Sequence, residues 1–359
     1  MSDAAFVTGG PHIKKKKQIV MERKIGEKFD YEGVTLEVVD WKEHCKGCYF
    51  FKGCCICEEH DIEVTGECVY DNRIDGRCVK FQKVEGLQKK IYQSIRLLQQ
   101  VQKAHHDEVI EIAYSGGKDS DVILQLAKEA VIRYEAIYKN TTIDPPGTIR
   151  HAQEMGATII RPKRTFAELI QKNGLPTRFS RFCCKELKEY KVRDVAVMGV
   201  RKSESVKRAS RYSEPTECRF YGNKKVHTEA VYPILEWTDE DVAAFLSDRK
   251  IKCAPIYYDA ECAFHVERRL GCMCCPLASK KNRIEEFRKH PGMVRFYIRN
   301  LRIFRKAHLD SKACKYFDNE YDQIAKDIFY SDTPIKKFKQ QMFDTDWKKL
   351  LEEYFGIEL

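Results

Sequence analysis

One stretch constrains this chain more than any other: AYSGGKDSDVILQLA, residues 113–127, where an apolar run breaks at Ser115-Gly116-Gly117 and resumes as an amphipathic one. The run before the break reads as a strand ending near Tyr114. The run after it reads as a helix starting near Asp119, with Val122, Ile123 and Leu126 toward the core. A turn at the C-terminal end of a parallel strand points backbone N–H groups outward, and the following helix adds the positive end of its dipole. Such a junction suits a phosphate. Gly116 and Gly117 permit close backbone approach, Lys118 adds a mobile charge, and Ser115 and Ser120 offer hydroxyls. Asp119 is expected either to lie beside a divalent cation or to hold the loop. The pattern GxxxxGK[ST] does not occur, which argues against a Walker-type triphosphatase.

Around this junction, strand candidates alternate with helical segments: EVIEIAYS, RYEAIYKN, GATIIRP and DVAVMGVR. The alternation predicts an α/β fold with a parallel sheet covered by helices on both faces. We divide the chain into a polar basic tail (1–22), a Cys-rich β module (23–85), a linking helix (86–107), the loop-bearing domain (108–280) and a helical C-terminal region (281–359). In the module, KIGEKFDYEGVTLEVVDW predicts a hairpin around Tyr31-Glu32-Gly33, and Asp75-Gly76 a turn into a further strand. A module of about 60 residues buries little core and would gain from a metal staple. Leu87, Ile91, Ile95, Leu98 and Val101 give the linking helix its period, and the C-terminal helices are expected to pack an apolar stripe on the main domain while showing charge to water.

The sixteen cysteines cluster, with seven between Cys45 and Cys78, a tandem pair at Cys183-Cys184, and Cys272, Cys274 and Cys275 close together. The chain begins without a secretory apolar region and has no run long enough to cross a membrane, so a reducing, cytoplasmic setting is expected, in which such clusters bind metal or do redox chemistry. Cys183 and Cys184 with Cys272 and Cys275 could close a Cys₄ site for a [4Fe–4S] cluster or zinc; spacing does not separate the two. Cys45 and Cys48 form a candidate zinc knuckle, with Cys54, Cys55, Cys57, Cys68 and Cys78 as further partners. Cys218, Cys253 and Cys314 are expected to be core thiols, and Cys274 to be packing. A net charge of +10 and the run Lys14–Lys17 suit a polyanionic partner without choosing between a nucleotide and a nucleic acid.

SGGKDS after a strand resembles the PP-loop of the ATP pyrophosphatase superfamily. The branch it is similar to contains phosphoadenosine phosphosulfate (PAPS) reductases, the small subunit of ATP sulfurylase and the sulfur-mobilising proteins of DNA phosphorothioation. The likeness covers residues 108–280 and extends through YKNTTIDPPGTIRHAQ, RFCCKELK, VMGVRKSESVKR and YPILEWTDEDVAAFL. It implies an adenine nucleotide alpha hydrolase-like fold binding ATP or PAPS, with Mg²⁺, on Ser115, Gly116, Gly117, Lys118, Asp119, Ser120 and Arg201. Lys118 and Asp119 are the catalytic candidates. Arg201, Lys202, Lys207, Arg208 and Arg211 follow a strand end and can converge on a sulfate or phosphate. Adjacent cysteines plus C-x-x-C are similar to the iron–sulfur sulfonucleotide reductases, which favours the cluster over zinc. Those reductases attack with a cysteine in a C-terminal Glu-Cys-Gly-x-His motif, whereas no cysteine here follows Cys314, and Glu261-Cys262-Ala263-Phe264-His265 lies before the cluster cysteines. The expectation is therefore ATP activation with pyrophosphate release, coupled to sulfur transfer onto an acceptor such as nucleic acid, with a sulfur-donor protein as a further candidate partner. Sulfite formation from PAPS, or a nucleotide- or nucleic-acid-binding module without catalysis, are the alternatives.

Overall fold

The computed structural model describes residues 22–41, 48–51, 62–66, 68, 73–221, 226–341 and 345–359. Lys14–Lys17, Cys45, Cys54, Cys55 and Cys57 lie outside the described residues. The chain divides into two compact units, Met1–Tyr92 and Gln93–Leu359.

In the first unit, β1 (Lys28–Tyr31), β2 (Val34–Asp40) and β3 (Val79–Lys83) form an antiparallel sheet in that order. Glu32 and Gly33 both have positive φ, 47° and 80°, as a two-residue type I′ hairpin turn requires. The register pairs Phe29 with Leu36 and Val38 with Phe81, so the alternate residues of all three strands share one apolar face. Phe29, Leu36, Val38, Phe50, Val79 and Phe81 make that core, with Cys48 and Cys68 packed against it. The Phe81 N–H points at Cys48 Sγ, 3.4 Å away.

Helix Gly86–Ala104 contains the division between the units. In the second unit, β4 (Ile110–Tyr114), β5 (Tyr134–Lys139), β6 (Thr158–Ile160), β7 (Val195–Val197), β8 (Thr216–Tyr221) and β9 (Val226–Val231) form one sheet ordered β6-β5-β4-β7-β9-β8. All neighbours are parallel except β8, which runs antiparallel to β9 at the edge. The expected α/β sheet flanked by helices is present. The β8–β9 pair was not among the strand candidates, because Glu217, Arg219 and Glu229 interrupt its apolar run. β4 lies between β5 and β7, and Ile110, Ile112 and Tyr114 are buried under helix Lys118–Glu129.

The C-terminal helices build a core of their own. In Gly292–Ala307, Val294, Tyr297, Ile298, Leu301 and Phe304 recur at three- and four-residue steps and are buried, while the arginines between them reach outward or bond across the bundle. They pack with Phe166 and Leu169 of helix Phe166–Asn173, Phe287 of helix Lys280–Lys289, Ile324 of helix Glu320–Phe329 and Leu351 of helix Trp347–Phe355. Burying each such side chain contributes about 1.5–3 kcal/mol. Arg283 crosses the bundle buried, donating to the carbonyls of Cys274 and Asp327 and pairing with the Asp327 carboxylate. The expectation that Cys218, Cys253 and Cys314 are core thiols holds for Cys253 alone. Cys218 is exposed, because edge strand β8 turns it to solvent, and Cys314 is half-buried.

Candidate functional site

The chain leaves β4 at Tyr114 and enters helix Lys118–Glu129 after three residues. Gly116 has φ 76°, the left-handed region, and a Cβ there would stand 2.8 Å from Thr148 Cγ2. Only glycine meets both conditions without strain. A Cβ on Gly117 would lie 3.2 Å from the Tyr257 hydroxyl, and one on Gly199, just beyond β7, 2.9 Å from the Asp119 carbonyl oxygen. Three distant segments therefore press on the loop.

No side chain caps the helix at Gly117. The Lys118 N–H donates to the Tyr257 hydroxyl at 3.2 Å, and the Ser120 hydroxyl donates to the Gly117 carbonyl at 2.6 Å. The remaining first-turn N–H groups suit an anion. Lys118 is buried, its Nζ 3.2 Å from Asp119 Oδ2. Asp119 Oδ1 accepts from Arg201 Nε at 2.7 Å, and Arg201 Nη2 reaches Asp239 Oδ1 at 2.7 Å. Through these contacts Asp119 holds the loop to Arg201 and Lys118. Arg201, only 1 % exposed, is committed to two carboxylates and to Ser203 rather than to the open side of the loop.

Above the loop lies a polar cavity of 230 Å³, lined by Ser115, Gly117, Lys118, Asp119, Ser120 and Gly199, and closed by Glu204, Arg208, Tyr257 and Arg269. Arg208 pairs with Glu204 at 2.5 Å, and Arg269 with the same carboxylate at 3.0 Å. Burial raises the Glu204 carboxyl above its usual range, against the pull of Arg208. Of the five cations expected to converge after β7, Arg208 lines this cavity. Lys202 pairs with Glu236, and Arg211 lies 3.9 Å from Glu217. Tyr257 and Arg269 were not foreseen, since neither sits in a patterned motif.

Beneath the loop, Asp121 is fully buried and joined by the Tyr114 hydroxyl and by His151 Nε2 at 3.0 Å. Burial raises the Asp121 carboxyl, with His151 and Tyr114 opposing. This network ties β4, the loop helix and helix Thr148–Glu154 together.

A second cavity, of 150 Å³, shares Ala113 and Ser115 with the first and extends over Ile137, Tyr138, Asp144, Met198, Arg219 and Tyr221 to Lys188. Two buried polar atoms on its wall, Glu111 Oε1 and the Tyr138 hydroxyl, have no hydrogen-bond partner, although Lys139 Nζ stands 3.4 Å from Glu111 Oε1.

Lys188 also lines the next pocket, whose wall holds Cys183, Cys184, Cys272 and Cys275 together with Ile143, Phe166, Leu187 and Tyr297. The four cysteines singled out in sequence thus come from helix Phe182–Leu187 and the 272–275 turn to one small, mostly apolar pocket. Among the described residues, no three of His, Cys, Asp or Glu are gathered tightly enough to hold a metal ion as they stand. Cys184 is drawn down to about 6, first by the hydrogen bond from Cys183 and then by Arg181, while Cys183 is pushed up. Burial works against the charge of Lys188, yet Cys272, Asp144 and Cys184 together raise it above the usual lysine range. Cys274 is buried in the neighbouring core and pushed up to about 12 by burial, as a packing residue should be. Cys262 is exposed on a turn, and His265 is held by Asp259 at 2.7 Å and Glu267 at 3.0 Å. Of the proposed zinc pair, Cys48 packs on the small sheet and Cys45 is outside the described residues. No helix among the described residues is long and apolar enough to cross a membrane.

Comparison with known proteins places relatives on both sides of this description. The chain is 26% identical over 239 residues to an uncharacterized protein of Methanocaldococcus jannaschii, covering 62% of this chain and 54% of that protein. It is 35% identical over 154 residues to an uncharacterized 37.8 kDa protein of Escherichia phage 186, covering 38% and 42%. The chain thus spans about half the length of the curated relatives it matches. Among solved structures, the FMN adenylyltransferase of Candida glabrata aligns with a TM-score of 0.34 and 16% identity, over 48% of this chain and 58% of that one. The phosphoadenylyl-sulfate reductase of Candida auris, solved as a phosphate complex, aligns with a TM-score of 0.32 and 16% identity, over 48% and 91%. The family model that matches this chain covers residues 109–278, from the start of β4 past the 272–275 turn, and it is the phosphoadenosine phosphosulfate reductase domain.

Proposed function

We propose that this protein is an ATP pyrophosphatase-type enzyme of the PAPS reductase kind, which adenylates an acceptor and passes sulfur to it. The observation that carries the reading is the row of three cavities: the loop cavity meets the middle one at Ser115, and the middle one meets the thiol pocket at Lys188. A nucleotide whose phosphates sit on the loop and whose nucleoside fills the middle cavity would end beside the thiols. Glu111, which faces Lys139 at 3.4 Å, and the Tyr138 hydroxyl beside Asp144 would give the nucleoside polar partners.

In this reading Lys118 and the N–H groups of the first helical turn hold the β- and γ-phosphates, with Arg208 and Arg269 across the cavity. An acceptor oxygen attacks the α-phosphorus, the bond to the β-phosphate oxygen breaks, and pyrophosphate leaves with the electron pair while the acceptor proton passes to solvent. Lys118 stabilises the charge that builds on the phosphoryl oxygens. Hydrosulfide from a sulfur-donor protein then forms a C–S bond at the carbon bearing the adenylated oxygen, the C–O bond breaks, and AMP leaves with that oxygen and the electron pair while the sulfur's proton passes to solvent. The carboxylates lining the loop cavity, Asp119 and Glu204, already face cations, so Mg²⁺ would enter as the nucleotide complex, held by its phosphates.

We further propose that Cys183, Cys184, Cys272 and Cys275 hold a [4Fe–4S] cluster. What supports this is the chemistry of the donors, four thiols lining one apolar pocket, with Lys188 and Arg181 to balance the negative charge of a four-thiolate cluster; the thiols would have to draw closer to ligate it. When bound, such a cluster would supply redox or sulfur-handling chemistry at that pocket.

The test is pyrophosphate release from ATP by the protein purified without oxygen, with PAPS and a reductant in parallel. Release from ATP that disappears in Lys118→Ala supports the assignment. Release undiminished in Lys118→Ala, or sulfite from PAPS without pyrophosphate from ATP, overturns it.

A further inference from the structure

A groove of 690 Å³ lies between the 160–164 segment after β6, residues 185–191, and Tyr221 and Val226 of β8 and β9. Its walls carry Arg161, Lys163, Arg164, Lys185 and Lys191 against two carboxylates, Glu186 and Glu189. Glu189 is engaged by Arg181 at 3.2 Å, and Lys191 by Asp194. Arg161, Lys163, Arg164 and Lys185 are exposed and make no ion pair among the described residues. Elsewhere in this unit, Arg150, Arg193, Arg249 and Arg302 each face a carboxylate. Against the one lining carboxylate left without a cation, Glu186, these four leave an excess of positive charge along one concavity, and that arrangement attracts a polyanion.

Two further features narrow the class of polyanion. Half-buried Tyr190 and Tyr221 also line the groove, each with a cation near one ring face, Lys139 at 4.6 Å and Arg219 at 5.7 Å, and a base stacking there would use the other face. Tyr221 lines the middle cavity as well, so the groove and the proposed nucleotide site share a wall. Helix Phe182–Leu187 repeats the relationship, with Cys183 and Cys184 toward the thiol pocket and Lys185 and Glu186 toward the groove. We propose that this groove binds single-stranded nucleic acid and leads one nucleotide past Tyr221 to the reaction site. That the strand is the acceptor rests on the adenylating reading above; that it binds does not.

The experiment measures fluorescence anisotropy of labelled single-stranded RNA and DNA of about 20 nucleotides with the full chain, without ATP, across a salt series. Wild type should bind, with affinity falling steeply with salt. The exposed charge reversals Lys163→Glu, Arg164→Glu and Lys185→Glu together should weaken binding at least tenfold and lower the salt slope by about 2, at about 0.7 per phosphate contact. Tyr221→Ala should weaken it about tenfold with the slope unchanged. Preference for RNA or for DNA identifies the natural strand, and either supports the groove. Equal affinity of triple variant and wild type overturns the proposal, as does binding abolished by replacing Lys14–Lys17 alone, or affinity for duplex equal to that for single strands. Because no turnover is measured, strand binding by a protein that releases no pyrophosphate would defeat the reaction assignment and leave the groove standing.

Discussion

Arg201 Nε donates to Asp119 Oδ1 at 2.7 Å across 82 residues of sequence, joining the segment after β7 to the first turn of the loop helix. The pair is nearly closed to water on the arginine side, and the second guanidinium nitrogen is held by Asp239. The lysine of the loop is thereby placed indirectly, since Asp119 Oδ2 faces Lys118 Nζ.

Removing the bridge should cost more than removing a surface pair. Arg201→Met is expected to destabilise the protein by about 3 kcal/mol, because two carboxylates lose their shared partner. Arg201→Lys should fall between, since a point charge cannot fork to both. Urea midpoints measure the difference; equal midpoints for all three proteins would show the bridge to be structurally idle.

Gly116 is constrained twice, by its φ of 76° and by Thr148 Cγ2 at 2.8 Å from a would-be Cβ. Gly116→Ala should therefore cost about 1–2 kcal/mol in backbone strain and more from the clash. Thr148→Ser removes the clashing methyl, so the double variant should regain part of the loss. A strictly additive double-mutant cycle would deny the contact.

Glu204 sits among the loop-cavity cations with its carboxyl raised by burial. The folded protein thus keeps this proton to a higher pH than a free glutamate does. The bound polyphosphate would raise it further, so nucleotide binding should take up a proton and tighten as pH falls toward the raised value. In Glu204→Gln that dependence should vanish and affinity at pH 8 should rise. Titration calorimetry in buffers of different ionisation enthalpy reads the proton uptake, and identical pH profiles for variant and wild type would contradict it.

The thiol pocket makes a compositional prediction. Protein purified without oxygen should contain about four iron and four sulfide per chain, and Cys272→Ser or Cys184→Ser should lose most of both. Zinc without sulfide would instead mark a mononuclear site.

Much of the second unit was legible because its signals are local. The strand, the glycine turn and the helix of SGGKDS are written in one run, and the four clustered cysteines announce themselves by type. The middle cavity was not legible. Glu111 reads as one polar residue in a strand, and only the sheet order brings it beside Lys139, Lys188 and Arg219. Tyr257 and Arg269 come to the loop through a segment without regular period. Arg201 was singled out by its place after β7 as an anion-binding candidate, but a sequence does not say whether a guanidinium faces a ligand or a carboxylate, and here it faces Asp119 and Asp239. The basic groove was invisible for a similar reason: residues 161–164 and 185–191 are ordinary charged connections until the fold sets them opposite one another.

The shape of the loop is not a property of its own six residues. Thr148 fixes what can stand at Gly116, Tyr257 what can stand at Gly117, and Gly199, by lacking a Cβ, leaves room for the Asp119 backbone. SGGKDS is in this sense a casting, and its mould is assembled from three pieces of chain far apart in sequence. Grafted alone onto the strand of another sheet, the motif would carry over its letters and lose its form, whereas a domain that kept the mould could exchange much of its surface and still present the same hollow.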